Sequence, residues 1–320
     1  MRRPLLVLGV VVLVAVGYLL LSDRASDTPR TADVSEIAAD CSVDVTAELN
    51  EVMAMSDGSI VQLRQGGCYR LDGTLSLEDR RGITIDGNGA TLDGSYVDGA
   101  RERRHIRIRD GGDLVIQDLA IVGSRCPEFP CEGPGLSEHE RQHGVAVENV
   151  DGMTIQRVTI MNVWGDFVYI SQKGDGERSD DVAILDNYFR NSGRQGIAPS
   201  GVVGLEVRNN VIIDAGRTVF DFEAEGDGAE NILLIDNDVV RPNNATLNVN
   251  CSDRGTGIVL NQGPISLIGN RIYQSPLEVD TSCSGQTELS SQLDVIVEDN
   301  RDSLPGEPEL PELPPMPALR

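Results

Sequence analysis

Residues 181–201 read DVAILDNYFRNSGRQGIAPSG, and residues 204–224 read GLEVRNNVIIDAGRTVFDFEA. These are two copies of one pattern. In each, an apolar residue stands shortly before an asparagine, Ile184 before Asn187 and Val207 before Asn210. Alternating apolar residues follow, then Gly193-Arg194 or Gly216-Arg217, then a second short strand. The copies are offset by 23 residues. Self-similarity at that period marks a solenoid, in which each repeat covers its neighbour's open apolar face.

The same frame extends in both directions. Leu234 leads to Asn237, Leu267 to Asn270 and Val297 to Asn300, while upstream Val115 leads to Asp118 and Ile85 to Asn88. Ile155 leads to Val158, which breaks the polar column. Rungs are expected to begin near residues 83, 113, 153, 182, 205, 232, 265 and 294. Their strands are short, rich in Val, Ile and Leu, and separated by Gly, Asn and Asp. No long segment with helical apolar spacing follows Gly58. The prediction is an all-β domain over 42–302, a right-handed parallel β-helix of roughly ten coils. The asparagines read as turn ladders: Asn tolerates a left-handed bend, and its amide can bond the Asn one rung away.

Leu5 to Leu21 carries no charge, and Arg2 and Arg3 precede it. At about 1.5 Å per residue it reaches the short end of a bilayer span, and the arginines place the amino terminus in the cytoplasm. Residues 1–22 are therefore expected to be a signal-anchor or a signal peptide. Around Leu20 to Arg24 there is no A-x-A cleavage pattern, which favours the uncleaved anchor. Either way the remainder is expected to be exported, extracellular and tethered through this segment, with a secreted form as the alternative. Residues 23–41 are polar and read as a flexible tether.

Six cysteines in an exported chain favour disulfides over metal ligation. Nearest-neighbour pairing gives Cys41–Cys68, Cys126–Cys131 and Cys251–Cys283. No pair has zinc-ligand spacing, so no metal is assigned, and no cofactor is indicated; nothing specifies a calcium site. The net charge of −24 argues against nucleic acid and anionic lipid. It is compatible with glycans or with a merely solvated exterior. The chain is expected to be a monomer.

Residues 42–53 read as a short amphipathic helix, and a helical cap would cover the apolar end of the first rung. The run Gly82-Ile-Thr-Ile-Asp-Gly-Asn-Gly-Ala-Thr-Leu-Asp-Gly94, with Gly66-Gly67-Cys68-Tyr69 before it, resembles the first coil and lead-in strand of the pectate-lyase-like β-helix superfamily. The resemblance implies the fold over residues 42–302. It implies no single activity, since the superfamily includes lyases, hydrolases, epimerases and non-catalytic surface proteins. Residues 303–320 are proline-rich and acidic and are expected to be a disordered tail.

A functional site is expected on the strand after the turn, which varies most between rungs. Stacking by apolar positions aligns Val145, Phe167, Ile197, Phe220 and Ile258 as inward residues. Asp221 and Glu223 then point outward, since the opposite frame would bury two carboxylates and expose two phenylalanines. Trp164, Arg194 and Arg217 share an outward column in this frame, with Asp166 on the same face. A guanidinium fork suits a substrate carboxylate, and an exposed Trp164 suits a sugar ring. Two chemistries can be written here. In a hydrolase Asp221 and Glu223 would be the acid and base; in a lyase or epimerase an arginine or His143 would take the proton. Trp164 and Asp166 would bind substrate. His105 reads as a strand-end residue and His139 as a solvated loop residue. The polygalacturonase, pectate lyase and alginate epimerase motifs are missing. Three readings therefore stay open: an enzyme acting on an extracellular polysaccharide, a non-catalytic surface protein binding glycan or a partner protein, and a salt-bridge lattice that only pins strands.

Overall fold

The computed structural model of the chain describes residues 30–96, 103–126, 139–174, 177–223, 227–250, 263–281, 295–306 and 308. Its twenty-four strands pair in parallel and stack in three faces, so the chain winds as a parallel β-helix. Each coil contributes one strand to each face in turn. Down the first face run Ile60, Thr84, Val115, Thr154, Ala183, Glu206, Leu233, Ser266 and Ile296, each level with the next. The second face stacks Cys68, Thr91, Ala120, Thr159, Tyr188, Val211, Asp238, Arg271 and Arg301. The third stacks Leu75, Ile106, Val145, Val168, Ile197, Phe220, Leu247 and Val279. The expected rung starts fall in the first face.

Inside, aliphatic rows such as Ile85, Ile116, Ile155, Ile184, Val207, Leu234 and Leu267 are fully buried. Period-2 alternation aims these residues inward, and stacking removes them from water on every side.

The bend between the first and second faces separates two tasks that the sequence reading had assigned to one residue. The left-handed residue is Asp186 (φ 56°), Asn209 (φ 55°), Asp236 (φ 54°) or Asp299 (φ 53°). The ladder asparagine follows it. Asn187 Nδ2 donates to Asn210 Oδ1 at 2.9 Å, Asn210 to Asn237 at 3.0 Å, Asn237 to Asn270 at 2.9 Å and Asn270 to Asn300 at 2.9 Å. Each amide also donates to a carbonyl of the preceding rung, as Asn210 does to Ile184 at 2.8 Å. Upstream, Asp118 (φ 55°) sits in the bend itself, level with Arg157 (φ 51°), and the ladder begins where Asn187 Oδ1 accepts from the Val158 backbone at 2.8 Å.

The cap helix is Thr46–Ala54, shorter than expected because Asp40–Asp44 is a strand that pairs with Cys68–Arg70. It buries Leu49 and Met53. Its polar side closes the first edge of the third face: Asn50 donates to the Thr74 carbonyl and accepts from the Ser76 backbone at 2.7 Å. Cys41 and Cys68 form the expected disulfide, which joins the strands Asp40–Asp44 and Cys68–Arg70. Cys126 is also disulfide-bonded; Cys131, Cys251 and Cys283 lie outside the described residues. Val34 and Ile37 are buried in the core, so packing begins upstream of the expected boundary at 42. The last strand, Arg301–Leu304, crosses the expected end at 302. Among the described residues no helix is long and apolar enough to cross a membrane. The apolar run 5–21 and the tail beyond 308 lie outside them.

Candidate functional site

The third face carries the candidate site, in a register that differs by one residue from the expected one. Val168, not Phe167, is level with Val145 and Ile197. Both Phe167 and Val168 are fully buried, so burial of an apolar residue does not choose between the frames. The correct one turns Tyr169 outward, level with Ala146 and Ala198. The strand after Phe220–Phe222 is Leu247–Val249, which the sequence reading missed; the expected Ile258 strand lies outside the described residues.

Asp221 keeps its expected direction. Phe220 and Phe222 on either side are buried in the core, and Asp221 is level with outward Asn248. It is nevertheless only 6% exposed, because amides enclose it. Gln195 Nε2 donates to Oδ2 at 2.7 Å, Asn248 Nδ2 to Oδ1 at 2.6 Å and Asn250 Nδ2 to Oδ1 at 3.4 Å. Glu223 meets Arg194, with Nη2 at 2.9 Å from Oε1.

Asp166 sits behind both. It is fully buried, its Oδ1 accepts from the Gln195 backbone at 2.8 Å, and Arg194 Nη1 approaches Oδ2 at 3.8 Å. His143 Nδ1 lies 3.2 Å from the same oxygen and 3.1 Å from the Asp166 backbone nitrogen. In the Nε2–H tautomer Nδ1 accepts from that backbone N–H and leaves Oδ2 without a hydrogen bond. A proton on Nδ1 would serve Oδ2 instead. The ring stacks on Tyr169 at 4.7 Å. Burial works against the charge on Arg194, but the carboxylates of Asp166, Glu223 and Glu140 outweigh it and raise its pKa above the ordinary arginine value.

Most of the remaining residues are placed differently from the expectation. Arg217 follows Arg194 one coil on, its backbone N–H donating to the Arg194 carbonyl at 2.8 Å, and its guanidinium reaches Glu140 at 2.9 Å. Trp164 is half-buried and not exposed, since His139 packs on it at 5.4 Å and the Arg125 guanidinium at 5.8 Å. His139 is itself buried and bonds Gln142, so it is no solvated loop residue. His105 stands at the strand end as expected, directly before Ile106–Val122, and is wholly buried, with Nδ1 at 3.0 Å from the His143 carbonyl. Gln195, which sequence reasoning passed over, joins the carboxylates of Asp166 and Asp221. Its signal was its place after Gly193-Arg194, where the second copy has Thr218 after Gly216-Arg217.

Those Gly-Arg pairs have a steric cause. A Cβ on Gly193 would lie 2.3 Å from the Trp164 carbonyl oxygen, and one on Gly216 would lie 2.6 Å from the Ser192 carbonyl oxygen. The close approach carries each following residue, Arg194 or Arg217, to the mouth of the face.

Four buried atoms at this site have no hydrogen-bond partner: Asp166 Oδ2, Gln195 Oε1, Arg194 Nε and Trp164 Nε1. From the next coil onward a cleft of about 700 Å³ runs past Thr218, Asn243, Asn248, Glu278 and Asp280. Asn248 belongs to both, holding Asp221 and lining the cleft.

Residues 143–301 match the family model described as right handed beta helix region. With the stacked faces, this match shows a right-handed parallel β-helix. No curated protein matches the sequence. Among solved structures, the chain is similar to PfbA, a surface adhesin of Streptococcus pneumoniae, at 10% identity and TM-score 0.50, covering 77% of this chain and 79% of that one. It is similar to a 1,3-α-1,4-β-D-galactose-4-sulfate-3,6-anhydro-D-galactose-2-sulfate 4 galactohydrolase at 11% identity and TM-score 0.56, covering 87% and 70%. An iota-carrageenase complexed to iota-carrageenan fragments matches at 10% identity and TM-score 0.53, covering 80% and 57%. At such identities the likeness is one of fold.

Proposed function

We propose that the chain is an exported β-helix protein whose third face recognises an extracellular polysaccharide. The observation that carries this reading is the set of four buried atoms without a hydrogen-bond partner around Arg194 and Gln195, whose coil precedes that of Thr218 on the cleft. Two are N–H donors and two are oxygen acceptors, and a sugar hydroxyl both donates and accepts. The adhesin and the two galactan hydrolases that share the fold support a glycan as partner.

Binding fits the carboxylates better than cleavage does. A hydrolase needs one carboxyl that carries a proton to the leaving oxygen. Both oxygens of Asp221 already accept from amides, and Glu223 faces a guanidinium. Neither is arranged to donate. Hydrolysis is the second reading, supported by the cleft that adjoins Asp221.

The test is a panel of neutral and acidic polysaccharides, measured for binding and for new reducing ends. Binding of at least one member without new ends is expected, weakened in Asp221→Asn. New reducing ends that Asp221→Asn abolishes would make the protein a hydrolase. No binding across the panel would remove the glycan reading. Export through residues 5–21 predicts membrane-associated protein on fractionation and no thiol labelling of the unreduced, denatured chain.

A further inference from the structure

On the third face, toward the amino-terminal end, Arg104, Arg107 and Arg109 converge on Glu148. The Glu148 side chain is only 4% exposed. Its Oε2 accepts from Arg109 Nε at 2.8 Å and from Arg107 Nη2 at 3.0 Å. Arg109 also reaches the exposed Glu78 at 3.3 Å. Arg104 is different. Its guanidinium comes no nearer than 3.9 Å to Glu148 Oε1 and makes no hydrogen bond among the described residues, although its side chain is only 18% exposed and its Nε is buried.

This is an unusual state for an arginine in this chain. Fifty-one Asp and Glu stand against 27 Lys and Arg, so carboxylates are in excess, yet among the described residues none is within hydrogen-bonding reach of Arg104. A lattice built only to pin strands would pair it. Three guanidinia against Glu148 and Glu78 leave one positive charge over, beside a fork of N–H donors that matches an oxyanion.

We propose that Arg104 and Arg107, braced by Glu148, form a binding site for an oxyanion, namely the sulfate or carboxylate of an acidic sugar. The ion site stands on the arginines alone; its sugar context rests on the glycan reading above. Arg107 shares the outward column of Tyr169 and Ala198, level with Ala146. Asp221 lies four rungs along, roughly 19 Å at the spacing of neighbouring strands. One extended glycan could therefore span both. Glu148 fixes the guanidinia but opposes an incoming anion, so it sets the affinity by repulsion.

The test titrates the full chain with sodium sulfate at constant ionic strength, using chloride as reference and calorimetry as readout. Saturable sulfate binding is expected, weakened about tenfold or more in Arg104→Gln, since a charge-assisted hydrogen bond is lost. Glu148→Gln is expected to bind sulfate more tightly; should it fail to fold, Arg104→Gln, on a partly exposed side chain, still decides. Sulfate behaving as chloride does, or binding Arg104→Gln as well as the parent, would overturn the site. Sulfated and uronate oligosaccharides are then compared with neutral ones. A preference for the acidic ones that Arg104→Gln removes supports the sugar context, and equal binding overturns it. Sulfate binding with no glycan binding at all would sink the glycan reading and leave the ion site standing.

Discussion

The side-chain amide of Gln195 donates to Asp221 Oδ2 at 2.7 Å while its backbone N–H donates to Asp166 Oδ1 at 2.8 Å. One residue thus fixes a carboxylate on the coil before it and another on the coil after it. Gln195→Ala leaves Asp221 Oδ2 without that donor in a nearly closed setting, at a cost of about 1–3 kcal/mol. Gln195→Glu is expected to cost more at neutral pH, because it puts a second carboxylate against the first. The Glu variant should regain stability on mild acidification, and the Ala variant should not. Urea denaturation at two pH values separates them. Equal behaviour would mean that Gln195 only fills space.

The asparagine ladder gives a second expectation. Asn210 Oδ1 accepts from both the backbone and the side chain of Asn187, each at 2.9 Å, and Asn210 Nδ2 donates to Asn237 at 3.0 Å. Asn210→Ala strands buried donors on Asn187, at a cost on the order of 3 kcal/mol. Asn300→Ala, at the more open end of the ladder, should cost markedly less. Urea midpoints of the two variants are the measurement; equal losses would show that the ladder is not cooperative through its middle.

Gly193 supplies a third. A methyl group there meets the Trp164 carbonyl at 2.3 Å, and backbone cannot yield as a side chain can. Gly193→Ala is expected to lower stability by about 1–3 kcal/mol and to displace Arg194 from Glu223. A control, Gly66→Ala, has open space at its Cβ but φ +60°, so its cost is backbone strain alone, about 1 kcal/mol. A Gly193→Ala protein as stable as the parent would contradict the close approach.

The first face was legible because Ile184, Val207, Leu234 and Leu267 recur with an asparagine three residues after each, and period-2 burial has one solution there. The third face was less so. Phe167 and Val168 are adjacent apolar residues that are both buried, and a one-residue slip reverses every side chain. Leu247–Val249 was passed over because its two apolar residues stand among Asn243, Asn244, Asn248 and Asn250, a composition that reads as loop. Asp221 was legible, since two flanking phenylalanines permit one orientation. The burial of His105, His139 and Trp164 was not, because it depends on which segments fold over the face from elsewhere in the chain.

His105 carries the last prediction, in its response to acid. Burial, reinforced by the charges of Arg103 and His143, lowers its pKa from 6.5 to about 3, against the opposing pull of the bond to the His143 carbonyl. The Nδ1 proton is directed at that carbonyl and Nε2 faces Arg103 Nη2 at 3.3 Å, so the folded state holds the neutral ring. In the unfolded chain the ring takes up a proton below about pH 6.5. The stability this residue contributes is therefore complete above pH 6.5 and falls as pH drops toward 3, by a few kcal/mol in all. Carboxylates titrate lower, which leaves the window from about pH 6.5 to 5 for histidine. His105→Asn keeps an N–H for the His143 carbonyl and removes the titrating ring. It is expected to be less stable than the parent at pH 7, yet to lose less stability between pH 6.5 and 5. Urea denaturation across that window measures both slopes. Parallel slopes would refute a neutral, buried His105 as the source of the acid sensitivity.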